Sequence, residues 1–399
     1  MSKLEELIKE LCPNGVEYKK ISIVANMARG VRVVRSQLKD DGQFPVYQNS
    51  MTPLGYYDRS NCGKNTTFII SAGAAGEIGY STKPFWAADD CWYFVCQNDL
   101  NSRFLYFVLQ SQQQYIFSNV RKASVPRLVR SVIDKMQIPM PPIEVQREIV
   151  RILDNFTELT AELTAELVAR HKQYEYYRDK ILTFTQNNKN GECDVQWLRL
   201  GDVLLSINTG LNPRQFFKLN TEDATNYYVT IREIQDHRVV FSDKTDRIND
   251  AALRLCNNRS NLEVGDILFS GTGTIGETAL VSEAPYNWNI KEGVYSLKPN
   301  SSILLSKFLM YLLDSTPMRI SFLKKAAGGT VKSVPMVEMR KLLIPIPPLA
   351  EQERIVAILD CLDKLCNDIS EGLPAEIEAR KKQYEYYRDK LLTFKHYSG

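Results

Sequence analysis

The stretch Lys172–Lys180 reads KQYEYYRDK, and Lys382–Lys390 repeats the same nine residues at an offset of 210 positions. Upstream, Ile138–Pro142 (IPMPP) corresponds to Ile344–Pro348 (IPIPP) at an offset of 206 positions. The offset grows by four between these blocks, so the second copy carries a four-residue insertion, slightly more than one helical turn. Because self-similarity at a fixed spacing indicates a repeated architecture, the sequence predicts an internal duplication: a variable segment followed by a near-identical segment, twice.

Each copy of the repeat predicts a long helix that begins after the proline-rich run. The first copy has no Gly or Pro between Ile143 and Asn190, and its apolar residues recur every three or four positions in one stripe. Proline is tolerated only in the first turn of a helix, so we expect a helix from Glu144 to Phe184, roughly 60 Å long. In the second copy, Gly372–Pro374 should kink or break the helix. Since neither helix can bury its stripe alone, we expect the two to pack on each other.

The variable segments carry the patterns of mixed α+β domains. Strands are predicted at Thr67–Ser71, Cys91–Val95, Tyr227–Arg232, Asp266–Ser270 and Gly293–Lys298, and helices near Phe104–Gln112 and Lys307–Asp314. We therefore expect an α+β fold: two mixed α/β domains separated by two long antiparallel helices, with a pseudo-twofold internal duplication. The predicted boundaries are 1–141 for the first domain, 142–186 for the central helix, 187–346 for the second domain and 347–399 for the C-terminal helix, with Thr185–Gly191 as a polar linker.

The composition excludes several classes of protein. The chain has 399 residues, 44% hydrophobic and 24% charged, which fits two or three globular domains, and its net charge of +3 excludes a polycation. The N-terminal MSKLEELIKEL lacks the apolar core of a signal peptide, and no apolar run approaches roughly 20 residues, so we expect a soluble cytoplasmic protein. The eight cysteines include no C-x-x-C pair, and His171, His237 and His396 lack metal-ligand or triad spacing. We therefore expect reduced thiols and no metal site or catalytic residue.

Local basic clusters indicate where the chain could contact DNA. One group lies near the N-terminus, with looser equivalents at Arg214 and Arg232, and another lies just before each long helix. Lys and Arg neutralise phosphates, arginine is the commonest reader of guanine edges, and small residues between the charges allow close backbone approach. A solvated surface without a ligand is the alternative for each cluster. The predicted DNA-binding residues are Arg29, Arg32, Arg35, Arg121, Lys122, Arg127, Arg214, Arg232, Lys324, Lys325, Thr330 and Lys332.

The order of segments carries a family resemblance. A globular segment, a P-x-P-P run, a helix containing Q-x-x-I-V-x-I-L-D and an end in KQYEYYRDK, all present twice, resembles the specificity (S) subunit of type I restriction–modification enzymes over the whole chain. The stretch Leu159–Leu167 (LTAELTAEL) looks like the short tandem repeat of one subfamily. The resemblance implies a non-catalytic subunit of a bacterial defence system, in which two target recognition domains read a bipartite, asymmetric DNA site.

The same resemblance implies partners and cofactors. The S subunit binds double-stranded DNA and two modification (methyltransferase) subunits, and restriction subunits join the full complex. S-adenosylmethionine, ATP and Mg would be used by the partner subunits, with no cofactor in this chain. The duplicated YEYYRDK ends are the predicted partner interface, because Tyr and Arg are enriched at interface hot spots, and helix–helix packing is the alternative. The residues of this interface are Tyr174, Tyr177, Arg178, Tyr384, Tyr387 and Arg388.

Two other functions deserve comparison with this interpretation. The run Gly271-x-Gly273-x-x-Gly276 matches a dinucleotide-binding fingerprint, which would suit a stand-alone S-adenosylmethionine-dependent methyltransferase. However, Glu277–Ser282 has the pattern of a second strand, and the first half carries a similar glycine run at Gly73–Gly79, so a hairpin loop is favoured. The other alternative is a helical scaffold protein without a DNA role.

The spacing of the two half-sites can be tested through the tandem repeat. Four added helical residues advance the helix by roughly 6 Å with a net rotation of about 40°, and one base pair advances DNA by about 3.4 Å and about 35°. Inserting one Thr-Ala-Glu-Leu unit into Leu159–Leu167 is therefore expected to lengthen the unread gap by about one base pair. Methylation sequencing of a host carrying the insertion measures this gap, and an unchanged gap would refute the expectation.

Overall fold

The computed structural model describes residues 3–184, 195–328, 332–367 and 372–397. The chain divides into two compact units: Met1–Thr164 with Ile377–Gly399, and Ala165–Glu376. Each unit thus combines one variable segment, the first part of the long helix that follows it and the last part of the other long helix. The sequence boundaries at 141, 186 and 346 stay predictions, and the linker Thr185–Gly191 lies outside the described residues.

The described residues of the first unit form nine strands and the start of the longest helix among them. The strands are β1 (Tyr18–Lys20), β2 (Ala25–Arg29), β3 (Phe44–Tyr47), β4 (Gly55–Tyr57), β5 (Thr66–Ile70), β6 (Ile78–Ser81), β7 (Trp86–Ala87), β8 (Cys91–Cys96) and β9 (Gln137–Pro139). The helices are α1 (Lys3–Leu11), α2 (Ile21–Val24), α3 (Ser102–Ser111), α4 (Gln113–Ser118), α5 (Arg130–Asp134) and α6 (Ile143–Ile181). The strands form sheets of order β2-β8-β5-β6, β4-β3-β7 and β1-β9.

The second unit begins inside α6. Its strands are β10 (Gln196–Arg199), β11 (Leu204–Thr209), β12 (Asn226–Val229), β13 (Ile234–Gln235), β14 (Arg238–Val239), β15 (Arg247–Ile248), β16 (Ile267–Ser270), β17 (Thr278–Leu280), β18 (Trp288–Ile290), β19 (Val294–Pro299) and β20 (Leu343–Ile346). Its helices are α7 (Leu200–Val203), α8 (Pro213–Phe216), α9 (Asp250–Ser260), α10 (Ser306–Asp314), α11 (Thr316–Leu323), α12 (Met336–Arg340) and α13 (Leu349–Asn367); α14 (Leu373–Leu391) lies mostly in the first unit.

The strand order confirms the internal duplication. The sheet β2-β8-β5-β6 corresponds to β11-β19-β16-β17, and both are antiparallel throughout. In the smaller sheets, β3 pairs in parallel with β7 and antiparallel with β4, as β12 does with β18 and β15. The two variable segments thus share one topology although they differ in sequence, which agrees with the predicted mixed domains.

The long helices follow the predicted pattern closely. Helix α6 runs without interruption from Ile143 to Ile181. The second copy is described as α13 and α14, which agrees with the predicted break at Gly372–Pro374. In the second unit, Tyr174 lies near Asp363 and Arg170 near Cys366, so α6 and α13 run antiparallel there. Among the described residues, no helix is both long and apolar enough to cross a membrane.

A buried glutamine joins each long helix to its variable segment. The side chain of Gln146, fully buried on α6, accepts a hydrogen bond from the Asn101 amide (2.8 Å) and donates to the carbonyl oxygens of Asp99 and Pro141 (2.8 Å each). Gln352, fully buried on α13, repeats this pattern with backbone groups of the corresponding segment: it accepts from Leu305 (2.9 Å) and donates to Ile303 and Pro347 (2.8 Å each). In each copy the glutamine therefore fixes the backbone at the start of the helix α3 or α10 of the variable segment.

Removing this glutamine should destabilise the unit that contains it. The substitution Gln352→Ala removes three hydrogen bonds to backbone groups, one of them fully buried, so we expect the free energy of unfolding to fall by about 3 kcal/mol. Urea denaturation and hydrogen exchange of the α10 amides measure the loss. Gln173→Ala, at an exposed glutamine of α6, is the matched control and should change stability by less than about 0.5 kcal/mol. Equal effects of the two substitutions would contradict the assigned role.

The second unit also contains a buried ion cluster. The turn between β13 and β14 places His237 with Nε2 3.7 Å from Asp314 and Nδ1 3.7 Å from Asp363, distances of ion pairs rather than hydrogen bonds. Arg178 of α6 donates a hydrogen bond to Asp314, and Arg319 donates a second at 2.6 Å. The cluster thus connects a hairpin, α6, α10, α11 and α13.

The cluster shifts the protonation equilibria of its members. Burial lowers the pKa of His237, but the carboxylates of Asp314 and Asp363 outweigh burial and raise the pKa to about 9. Burial likewise opposes ionisation of Asp314, yet Arg178, His237 and Arg319 hold the pKa of this carboxyl well below its ordinary value. At neutral pH the histidine is therefore a cation between two carboxylates.

This arrangement predicts a specific dependence of stability on pH. Because the pKa of His237 rises from 6.5 in the unfolded chain to about 9 in the folded one, its stabilisation is complete below pH 6.5 and disappears as the pH rises through 9. The difference in unfolding free energy between the native chain and His237→Gln should be about 3 kcal/mol at low pH and close to zero near pH 10. Urea denaturation of both chains between pH 6 and 10 measures it. A difference that stays constant with pH would exclude a charged His237.

Candidate nucleic-acid interface

A glycine loop lies at one end of each four-stranded sheet. The loop containing Gly273 connects the antiparallel strands β16 and β17, and the loop containing Gly73 connects β5 and β6 in the same way. Both glycines have positive φ, +79° and +83°, a conformation that favours glycine over other residues. The glycine-rich run is therefore the hairpin that the sequence favoured. It is not the strand-to-helix turn required of a dinucleotide site.

The second group of basic residues pairs with these loops. The Gly73 amide donates to the Pro126 carbonyl oxygen (3.1 Å), and the Gly273 amide donates to that of Lys332 (3.0 Å). Arg121 and Arg127 exchange two backbone hydrogen bonds (2.9 and 3.2 Å) and so close a short turn beside the first loop. The predicted residues that these contacts leave exposed at the loops are Arg121, Lys122, Arg127 and Lys332.

The N-terminal basic group approaches the same end of the first sheet. Arg29 ends β2, and its Nε donates to the carbonyl oxygen of Asp89 (2.9 Å), which follows β7. Gly30 allows this approach, because a Cβ there would collide with the carbonyl oxygen of Ala88, as one at Gly210 would with that of Ile290. The predicted residues Arg32 and Arg35 are exposed in the segment that follows, and Arg214 is exposed in α8 of the corresponding segment.

The strand register corrects the prediction that Arg232 is equivalent to a residue of the N-terminal basic group. Tyr47 accepts a hydrogen bond from the Ala88 amide and Val229 accepts one from the Lys291 amide (2.8 Å each), so the ends of β3 and β12 correspond. Residues 48–50 therefore match residues 230–232. Arg232 is the counterpart of Ser50, and it belongs to a different loop from Arg214. The variable segments share no residues here from which the sequence could have shown this.

The remaining predicted residues are distributed less evenly. Lys324 and Lys325 follow the end of α11, and Lys325 forms an ion pair with Glu338 at 3.4 Å, which reduces its availability for phosphate. Arg319, which precedes these lysines on α11, belongs to the buried ion cluster. Thr330 lies outside the described residues.

Several side chains around the glycine loops were missed by the sequence analysis. Asn49 contacts the Gly73 loop through its carbonyl oxygen, which accepts from the Ala74 amide at 2.9 Å. Gln48 donates to Asp89 at 3.4 Å. Lys291 is exposed beside the second loop, and Asp246 pairs with Arg232 at 2.9 Å. A single amide or acidic residue in a variable segment does not indicate a binding role in the sequence, because only the fold brings it to the loop.

The repeated YEYYRDK blocks divide between core and surface. Tyr174 and Arg178 are buried within the second unit, and Tyr387 stacks on Phe156 with ring centroids 5.5 Å apart. Tyr384 and Arg388 are half-buried in the first unit, whereas Tyr177 is exposed. Within the repeated blocks, the most exposed tyrosines are Tyr176 (61%) and Tyr386 (60%). Packing therefore accounts for part of each block, and the partner interface stays a prediction.

Comparison with known proteins identifies the family. The sequence model described as Type I restriction modification DNA specificity domain matches residues 13–170 and 192–379. The chain belongs to this family of DNA specificity proteins. This finding confirms the resemblance and its non-catalytic role in DNA recognition, and it does not favour a stand-alone methyltransferase or a scaffold without a DNA role.

Individual relatives agree with the family. A putative type I restriction enzyme specificity subunit of Haemophilus influenzae is 32% identical over 395 residues, which cover 95% of this chain and 96% of the relative. The EcoR124I/EcoR124II specificity subunit of Escherichia coli is 36% identical over 268 residues, or 65% of this chain and 63% of that protein.

Solved structures confirm the fold. The S subunit of a type I restriction–modification system from M. genitalium is 15% identical with a TM-score of 0.57, covering 95% of this chain and 96% of that one. A chain from a structure that describes complex assembly and conformational transition of the type I R-M system is 18% identical with a TM-score of 0.61, covering 95% and 98%.

Proposed function

We propose that this specificity subunit reads a bipartite, asymmetric DNA site, with one half-site for each unit. The observation that carries the proposal is one backbone frame present twice with different side chains at matching positions. Gln48-Asn49-Ser50 in the first unit stands where Thr230-Ile231-Arg232 stands in the second. Base edges are distinguished by their hydrogen-bond donors and acceptors, so two different sets of side chains on the same frame suit two different half-sites.

The glycine loops and their basic neighbours suit the DNA-facing end of each unit. Arg29 and Arg127 lie beside the first loop, and Lys291 and Lys332 lie beside the second. Lysine and arginine neutralise phosphates and position a protein on the duplex, while neighbouring side chains read bases.

The repeated tyrosines support the binding of two modification subunits. Tyr176 and Tyr177 form an edge-to-face pair with centroids 5.3 Å apart, and Tyr386 and Tyr387 form the same pair at 5.3 Å. Two similar surface features suit two copies of one partner, the modification subunit. Restriction subunits complete the assembly, and the partners supply the sites for S-adenosylmethionine, ATP and Mg. This chain acts in the cytoplasm as their guide to DNA.

Native mass spectrometry and methylation sequencing of the complex with its modification subunit test both parts of the proposal. The unmodified complex should contain two modification subunits and methylate one bipartite motif. Tyr176→Ala or Tyr386→Ala alone should weaken the binding of one modification subunit by about 30-fold, and both substitutions together should weaken the binding of both subunits.

Tyr115→Ala provides the matched control, since Tyr115 is exposed but lies on α4, outside the repeated blocks. It should leave the stoichiometry unchanged. Full occupancy by two partners in the double variant would refute the assigned interface. Methylation without a bipartite motif would refute the assigned mode of reading.

A further inference from the structure

The backbone at Arg232 is held rigidly at the edge of the second glycine loop. Arg232 lies in a 3₁₀ turn, Ile231–Glu233, directly after β12. The buried carboxylate of Glu233 accepts hydrogen bonds from the amide (2.8 Å) and hydroxyl (2.7 Å) of Thr230, and that hydroxyl accepts from the Arg232 amide (3.3 Å). These reciprocal bonds fix the direction in which the arginine side chain leaves the turn.

A carboxylate then orients the guanidinium group. Nη2 of Arg232 donates to Oδ2 of Asp246 at 2.9 Å, and Nε lies 3.4 Å from the Thr230 hydroxyl. Asp246 is itself fixed, because its other carboxylate oxygen accepts from Asn220 (2.9 Å) and its carbonyl oxygen accepts from the Tyr228 amide (2.8 Å). The Nε–Nη2 side of the guanidinium is thereby occupied by protein groups.

The opposite edge of the guanidinium remains available. Within the described part of the chain, Nη1 of Arg232 has no hydrogen-bond partner, and the side chain is 60% exposed. An arginine offers five N–H donors in a planar fork, so Nη1 and the second hydrogen of Nη2 can still make a pair of parallel hydrogen bonds. Such a fork matches two neighbouring acceptors.

The surroundings of this fork favour a base over a phosphate. Arg232 lines a cavity of about 410 Å³ together with Gly273, Lys291, Asp246 and Glu292. The carboxylates of Asp246 and Glu292 reduce the positive potential of the cavity. A phosphate is attracted mainly by such a potential, which does not depend on the direction of the donors. Directional donors in a partly neutralised concave site suit the uncharged edge of a base, and in the major groove only guanine presents two adjacent acceptors, O6 and N7.

We propose that Arg232, oriented by Asp246, reads a guanine in the half-site bound by the second unit. The assignment rests on the proposed function and specifies one of its base contacts. Arg232 determines specificity through Nη1 and Nη2, and Asp246 is a positioning residue. The counterpart in the first unit is Ser50, whose hydroxyl donates to the Thr52 carbonyl oxygen at 2.8 Å, so the corresponding position of the other half-site should be read differently.

Methylation sequencing with the modification subunit tests the assignment directly. The unmodified complex should methylate only sites that have guanine at one position of the half-site read by the second unit. That half-site is identified as the one whose sequence changes when residues of the second unit are altered. Arg232→Ala should lower the preference for guanine at that position by about tenfold or more and leave the other half-site unchanged. Asp246→Asn keeps the arginine but weakens its orientation, so it should relax the same position and no other. Arg254→Ala, at an exposed arginine of α9, is the control and should leave the motif intact.

The outcomes separate the contact from the broader function. A uniform loss of methylation at all sites in Arg232→Ala, with the motif unchanged, would identify a phosphate contact and overturn the assignment, as would an unaltered motif at full activity. Relaxation at a position other than guanine would also overturn it. An unmodified complex without any bipartite motif would overturn the proposed function itself. Circular dichroism melting of each variant ensures that the compared chains are folded.

Discussion

The structure depends on a hydrogen-bonding group placed where variable and repeated sequence meet. Gln146 and Gln352 are fully buried, and all of their partners are backbone groups. A buried amide must have hydrogen-bond partners for its donors and its acceptor, so the position of the glutamine on the helix is tightly constrained. Backbone partners are present whatever side chains the segment carries. The contact can therefore hold two recognition segments of different sequence onto the same kind of helix.

Charge pairs add to this junction but differ between the copies. Arg103 binds Asp154 at 2.7 Å, and Lys307 binds Asp360 at 2.6 Å, so each domain helix pairs with an aspartate eight residues beyond its glutamine. Farther along α10, Asp314 enters the buried cluster with His237. The corresponding residue of α3 is Gln110, which faces the hydroxyl of Tyr384 at 3.5 Å. The second unit thus uses buried charges, which are costly unless fully paired, where the first uses a neutral contact.

The proposed recognition surface repeats one backbone frame with different side chains. Close backbone approach at Gly30 and Gly210 is set by the absence of a Cβ and recurs in both units, and the glycine loops share a positive φ at Gly73 and Gly273. The side chains that follow β3 and β12 are free to differ, because they do not contribute to the sheets. In the proposed mode of reading, the stability of the sheets and the base contacts are therefore carried by different residues, so the base contacts can vary without loss of stability.

The sequence by itself determined the duplication, the long helices, the break near Gly372 and the hairpin at Gly273, because these depend on local patterns: repeated residues, apolar periodicity, proline and glycine. It also located a basic cluster just before each long helix, and the structure brought these clusters to the glycine loops. Only the tertiary structure decided that Arg232 corresponds to Ser50, that Tyr174 and Arg178 are buried, and that Asp246 orients an arginine. Those relations join residues far apart in the chain through strand register and packing, and no local pattern records which distant groups become neighbours.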